Sequence, residues 1–264
     1  MATILLTNDD GIMSVGLRAL WDGLNGLGQV VAVAPESPRS ATGMSLTFHK
    51  PLRVNELTIQ GAKAYAVSGT PADCISLGIS KILGGKKPDV VVSGINLGEN
   101  VTAQTVFASG TVAAAIQAAI MGIHSIALSM EMPSVEAGLP EVEARVEAAA
   151  ERAFAVVDMV ARRGLPEGVD FLNVNFPYDV GADTPTKVTR LGPRMYDDYI
   201  TERADPKGRP YYWQWGSVRD PKEFEPGTDA HALFVEGAIS ITPLQIDPSR
   251  GVSQDAIARY LRSR

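Results

Sequence analysis

The sequence predicts a doubly wound α/β fold, a mostly parallel sheet with helices on both faces, followed by a C-terminal β-hairpin extension and a terminal helix. Three observations predict it. Short apolar runs alternate with helical periodicities through the first 165 residues. The apolar runs lack the polar alternation of a half-exposed strand, as expected where both faces of a sheet are covered. Several of them end abruptly in polar, glycine-containing clusters, the pattern of strands that deliver loops to one edge of a parallel sheet.

Taken in order, "ATILLTN" (2–8) reads as the first strand, and "VGLRALWDGLNGLG" (15–28) as a helix with Leu17, Leu20, Trp21 and Leu24 on one stripe. "QVVAVAP" (29–35) is a second strand stopped by Pro35; "GMSLTFHKPLRV" (43–54) has β character, and "AYAVSG" (64–69) follows it. "TPADCISLGISKILGG" (70–85) carries a helix start, with Thr70 as N-cap, Pro71 in the first turn and Asp73 at the capping-box position. "PDVVVSGIN" (88–96) and "HSIALSM" (124–130) are strands, "SGTVAAAIQAAIMG" (109–122) an Ala-rich helix, and "VEARVEAAAERAFAVVDMVARRG" (142–164) a long amphipathic helix. Beyond residue 165 the pattern changes. "DFLNVNFP" (170–177) is still a core strand, whereas 195–221 is aromatic, charged and broken by "DPKG", which suits a protruding hairpin. "GAISITPLQI" (237–246) returns as a strand, and "SQDAIARYLRSR" (253–264) closes as a helix capped by Ser253. The division expected is a catalytic core at 1–194, an extension at 195–236, and a returning strand and helix at 237–264.

Composition bounds the chemistry. The 264 residues are 45% hydrophobic and 20% charged, enough for a full core. No apolar stretch reaches the length of a membrane span, and the N-terminus enters a strand without a basic region or cleavage site, so a cytoplasmic protein without a membrane is expected. A net charge of −6 and the lack of a basic stripe argue against a long nucleic acid as partner. The single Cys74 forms no internal disulfide and reads as a small buried hydrophobe.

Three polar segments fall at the carboxyl edge of the expected sheet: "TNDDG" (7–11), "PESPRSATG" (35–43) and "SGINLGEN" (93–100). A fourth, "SGT" (109–111), opens a helix whose free N–H groups favour an anion. Adjacent carboxylates repel unless a cation lies between them. Asp9 and Asp10, with a hydroxyl and an Asn amide, make a hard oxygen set suited to Mg²⁺ or Mn²⁺ rather than zinc. A divalent ion beside a helix-end anion site suits phosphate-ester cleavage.

The ordered segments "TNDDG", "RSATG", "GTPADC", "SGINLGEN" and "SGTVAAA", with "YYW" (211–213) and "GAISITPL" (237–244) further on, resemble the SurE (survival protein E) nucleotidases over nearly the whole chain. The resemblance implies a Rossmann-like core and a metal-dependent 5′/3′-nucleotidase, an acid-phosphatase-like hydrolase acting on nucleoside monophosphates. It also implies one divalent metal per subunit and a homodimer or homotetramer built with the C-terminal extensions. The family's metal ligands fall on Asp9, Asp10, Ser40 and Asn96. Its phosphate-facing positions fall on Asn100, Ser109, Gly110 and Thr111, with Asp9, Asp10 and Asn100 as the catalytic group. One segment departs from the family pattern: "VTAQTVFASGT" (101–111) is one residue longer and has Ala108 where Tyr or His precedes the SGT, so a bulge is expected there.

Other candidates are weaker. His49, His124 and His231 have no carboxylate or Cys at ligand spacing, and Arg190 and Arg194 read as surface residues. The "YYWQW" cluster (211–215) suits base stacking or an oligomer interface. A receiver-like signalling module would need an Asp phosphoacceptor at the end of its central strand, where this chain offers Ser93 and Asn96. A dinucleotide-dependent oxidoreductase would need G-x-G-x-x-G after the first strand, where two carboxylates stand instead.

Overall fold

The structure is a computed structural model describing residues 1–59, 61–132 and 138–262. A nine-stranded sheet runs through it in the order β3-β4-β2-β1-β5-β6-β7-β11-β8. Its strands are β1 (Ala2–Thr7), β2 (Gly28–Pro35), β3 (Val54–Ile59), β4 (Ala62–Val67), β5 (Val90–Leu97), β6 (Ser125–Met130), β7 (Phe171–Phe176), β8 (Thr186–Val188) and β11 (Ile239–Leu244). From β4 to β7 all neighbours pair in parallel, while β3 and β11 are antiparallel to β4 and β7. A separate antiparallel hairpin, β9 (Tyr196–Ala204) with β10 (Pro210–Val218), forms its own two-stranded sheet.

The alternation of side chains on β1 assigns the two faces. Ile4 and Leu6 pack with α1 (Val15–Leu24) and α5 (Leu139–Arg163), and Leu5 packs on the opposite side with α2 (Pro71–Leu77) and α4 (Gly110–Ile120). All three side chains are fully buried. Cys74 lies in the second of these layers, the small buried hydrophobe its context predicts. The capping box at Thr70 and Asp73 is present, and α2 continues as a π-helical turn over Gly78–Ile82.

Three parts differ from the sequence reading. Residues 43–53 hold no strand; their backbone is tied locally, with Thr47 N–H and Oγ1 donating to Asp73, so the polar side chains there compete with ladder formation. The pairing partner of β4 is instead β3, one turn away. Two short elements lie in stretches read as loop or extension: β8, and α6 (Asp229–Phe234), which packs on β7 and β11. A third, α3 (Thr102–Val106), occupies the segment where a bulge is expected.

Strand order reverses between β1 and β5. The chain leaves β1 toward β2 on one side and returns to β5 on the other, which opens a crevice at the carboxyl ends of both. Among the described residues, no helix is long and apolar enough to cross a membrane.

Candidate functional site

The turn after β1 is built by Asn8, which is fully buried: its Oδ1 accepts from Gly11 N–H (3.1 Å), and its Nδ2 donates to Gly11 O (3.2 Å) and to the α1 N-cap Ser14. Gly11 sits at φ +101°, which a side chain would strain. The amide therefore organises the turn and leaves the two carboxylates to face the crevice side.

Asp9 is 4% exposed. It accepts a short hydrogen bond from Thr111 Oγ1, and the N–H groups of Gly110 and Thr111 also bond to its carboxylate. Burial nevertheless pushes its pKa up, with those three donors opposing the shift. A Cβ on Gly110 would come within 2.8 Å of Asp9 Cβ and 2.9 Å of Oδ2, so only glycine lets α4 approach this closely. Asp10 has weaker support, one bond of 3.4 Å from Leu97 N–H. Burial and the neighbouring Asp9 together raise its pKa to about 6.

Asp9 O accepts from Arg39 N–H (2.7 Å), which draws the 35–43 loop over the crevice and carries Ser40 to its wall. Asn96, on β5, donates Nδ2 to Gly98 O (2.6 Å) and keeps its carbonyl oxygen as the remaining acceptor. Asn100 is held more elaborately. Its N–H donates to Asn175 Oδ1 (2.8 Å), its Nδ2 to Ser129 Oγ (2.8 Å), and its carbonyl accepts from Asn173 and Asn175. The following turn, with Thr102 at φ +68°, is pinned by the buried Asp229, which accepts Thr102 N–H (2.7 Å) and Gly192 N–H (2.8 Å).

These residues surround one cleft of about 570 Å³, lined by Asp9, Asp10, Ser40, Asn96, Asn100 and Ser109 together with Glu99, Gln104, Tyr196 and Gln214. The sequence reading gathered the first six. Gly110 and Thr111 stand behind Asp9 rather than on the cleft wall, and their N–H groups are engaged by its carboxylate. His49, His124, His231, Arg190 and Arg194 lie outside it; Arg190 pairs with Glu225, and Arg194 with Asp197 and Tyr196 O.

Sequence reasoning missed the fourth wall, where α3 and the root of the hairpin meet, and the amides beneath Asn100. The amides had a signal: Asn173 and Asn175 recur at i, i+2 within an otherwise apolar strand, putting two polar groups on one buried face. The wall had none, since Glu99 and Tyr196 are 97 residues apart in sequence. Segment 101–108 is not a free bulge: Gln104 takes Met195 and Tyr196 N–H on its Oε1, and Ala108 O takes Gly43 N–H.

A doubly wound sheet with an acidic pair at its switch point and a helix N-terminus behind it defines the class. A family model described as survival protein SurE matches residues 4–198, and the chain belongs to that family. It is 43% identical over 268 residues to a protein named 5′-nucleotidase SurE from Methanocella arvoryzae, covering 98% of this chain and 97% of that one. The like-named protein of Thermococcus gammatolerans is 46% identical, with 98% and 95% covered. The crystal structure of SurE from Aquifex aeolicus superimposes with a TM-score of 0.82 at 38% identity, over 99% of this chain and all of that one.

Proposed function

We propose that this chain is a divalent-metal-dependent phosphomonoesterase that hydrolyses nucleoside monophosphates at the β1/β5 crevice. The observation that carries the reading is the charge of the cleft. Two neighbouring carboxylates and Glu99 line it, and no Lys, Arg or His does among the described residues. A phosphate ester entering such a wall needs a cation between it and the carboxylates. No group of three His, Cys, Asp or Glu side chains suited to a metal occurs among the described residues, so two carboxylates must be completed by neutral oxygens. Ser40 Oγ and the Asn96 carbonyl supply that type of donor, and the set fits Mg²⁺ or Mn²⁺. The names carried by the relatives support the nucleotide substrate.

Asp9, Asp10, Ser40 and Asn96 would hold the ion. When bound, it neutralises phosphoryl charge and lowers the pKa of a nearby water. The chain's own part is orientation. Thr111 and the α4 N-terminus fix Asp9, and Ser109 at the mouth of that helix and Asn100, locked by Ser129 and Asn175, turn polar groups to the phosphoryl oxygens. The reading extends to 5′ and 3′ esters, to a cytoplasmic enzyme, and to a homodimer or homotetramer in which 195–236 is the assembling extension of a 1–194 core and 237–264 the returning strand and helix.

Phosphate release from a panel of nucleoside monophosphates with Mn²⁺, with Mg²⁺ and with chelator tests it. Release that chelator abolishes and either metal restores is expected; release indifferent to chelator would overturn the metal assignment.

A further inference from the structure

Just past Asn100 the backbone takes a conformation that its own residue opposes. Thr102 is β-branched, fully buried and held at φ +68°, and its Oγ1 meets no protein partner among the described residues. Both features are unfavourable for threonine, and glycine would avoid both. Against this residue stands Asp229, at the start of α6, fully buried as well, its pKa pushed up by that burial. The two oxygens of Asp229 have different partners. Oδ2 accepts Thr102 N–H (2.7 Å), while Oδ1 accepts Gly192 N–H (2.8 Å) and Ala230 N–H (2.9 Å). A Cβ on Gly192 would meet Asp229 Oδ1 at 3.1 Å and Thr102 Cγ2 at 3.2 Å, so the junction has no slack.

The same turn carries Asn100 into the cleft. Asn100 is fastened on the sheet side, its N–H to Asn175 and its carbonyl to Asn173 and Asn175. On the far side Ala103 N–H donates to Gly192 O (2.7 Å). Thr102 N–H lies between these anchorages, and its bond to Asp229 sets the rotation of the turn. Asp229 itself does not line the cleft. A strained residue persists only where its surroundings over-determine it, and such residues gather where position matters to function.

Resting on the nucleotidase reading, we infer that Asp229 is a positioning residue for the reaction: through Thr102 it fixes the 100–103 turn, and so the place from which the Asn100 side chain meets the phosphoryl group. The metal ligands proposed above lie outside this turn, so the ion is held independently of it.

Asp229→Asn separates the two oxygens. Oriented to keep the Gly192 and Ala230 bonds, the amide sets its NH₂ against Thr102 N–H, donor against donor. At a temperature where both proteins are fully folded, D229N should lower kcat/KM for p-nitrophenyl phosphate and adenosine 5′-monophosphate by about tenfold to a hundredfold. Mn²⁺ affinity measured by calorimetry should stay within about twofold. In a Thr102→Gly background, where positive φ costs nothing, the same change should cost no more than about threefold. Gly192→Ala tests the junction without removing a bond, and should lower kcat/KM by about threefold to tenfold. A purely structural role lowers the melting temperature and leaves the activity of folded protein alone. That result, an equal loss in both backgrounds, full activity in G192A, or a matching loss of Mn²⁺ affinity overturns the inference. Calorimetry with inorganic phosphate on the Mn²⁺-loaded proteins separates it from the nucleotidase reading, because phosphate has neither ester nor nucleoside. Phosphate binding weakened about tenfold by D229N supports the positioning role even if no nucleotide is hydrolysed. Equal binding by both proteins, or none by wild type, refutes it even if nucleotides are.

Discussion

The crevice at β1 and β5 and the hairpin of β9 and β10 are ordered by opposite means. At the crevice, Asp9 is clamped from behind by backbone that approaches to contact distance because Gly110 has no side chain. Along β10 of the hairpin all nine residues are exposed, and among the described residues the hairpin pairs with no strand of the main sheet. It is held at the root, where Gln104 takes Met195 and Tyr196, Arg219 N–H reaches Met195 O, and Met195 packs with Val101, Phe224 and Leu233. A group that carries charge through a reaction needs the first kind of support. A wall that admits different leaving groups can be made by the second.

The largest expected effect lies at the centre of the clamped region. Asp9→Asn or Asp10→Asn should lower metal-dependent hydrolysis by about a thousandfold or more, beyond the ten- to hundredfold usual for outer-shell partners. The fold should be kept, because removing one of two neighbouring carboxylates, Asp9 buried and Asp10 half-buried, also removes their repulsion. Full activity in either variant would dissolve the contrast drawn above. Asp10 adds a pH test. Its pKa is raised from the ordinary 3.8 to about 6, so the folded protein binds more protons than the unfolded chain between those values. Its stabilising contribution is full below about 3.8 and is lost as pH rises through about 6. In chelator the melting temperature should therefore carry a downward term over that window, absent in D10N, and Mn²⁺ should raise it more at pH 7 than at pH 5. Melting curves that superimpose for wild type and D10N across the window would contradict the assigned shift.

Next in size is Gly110→Ala. The added Cβ meets Asp9 at 2.8 Å, and neither the β1 turn nor the helix start can yield cheaply. A cost of about 1–3 kcal/mol in stability is expected from overpacking. Because the displaced group is Asp9, a loss of about a hundredfold in turnover should accompany it. If activity survives while stability drops, the close approach serves packing alone.

How much of this was readable in the sequence follows from the same contrast. Strands covered on both faces show themselves as unbroken apolar runs, so "ILL" at 4–6, "VVV" at 90–92 and the order of βα units were legible, and with them the edge at which Asp9, Asp10, Ser40 and Asn96 gather. The hairpin was legible from "DPKG" and its aromatic flanks, and the turn does fall there, with Asp205 accepting Lys207 and Arg209 N–H. Three things were not. The extended reading of 43–54 failed because Thr47 turns to Asp73, a tertiary choice that overrides local β preference. The short α3 begins with a residue at positive φ that Asp229, far along the chain, holds in place. Glu99 and Tyr196 meet only because the hairpin root folds back on α3, and nothing in either segment alone announces the other.

A moderate effect is expected where the two regions join. Gln104→Ala removes the bonds to Met195 N–H, Tyr196 N–H and Tyr196 O that fasten the hairpin root, and it leaves Met195 and Tyr196 N–H without those partners. KM for a nucleoside monophosphate should rise about tenfold with kcat nearly unchanged, since Asp9 and Asp10 are untouched. A fall in kcat instead would mean that the wall positions the reacting group as well as the leaving group.

The smallest effect on turnover, and the sharpest on assembly, belongs to the far face of the hairpin. Side chains alternate along β10, so Tyr211, Trp213 and Trp215 share one face, and Tyr199, directly opposite Trp215, joins them. Trp213 and Trp215 pack with ring centroids 5.7 Å apart and planes tilted by 33°, yet each is half exposed. Gln214 and Tyr196, which line the cleft, belong to the other face. A two-stranded ribbon is marginal in water, and an aromatic stripe of this kind calls for cover from another subunit. Replacing Trp213 and Trp215 together by Ser should shift the mass measured by light scattering at micromolar concentration to that of a smaller species. Hydrolysis per site should stay within about twofold, because the changed side chains and the cleft are on opposite sides of the ribbon. If mass and turnover fall together, the far face is needed to hold the near one, and the root contacts at Gln104 and Tyr196 are too few to keep the cleft's fourth wall in place in a lone subunit.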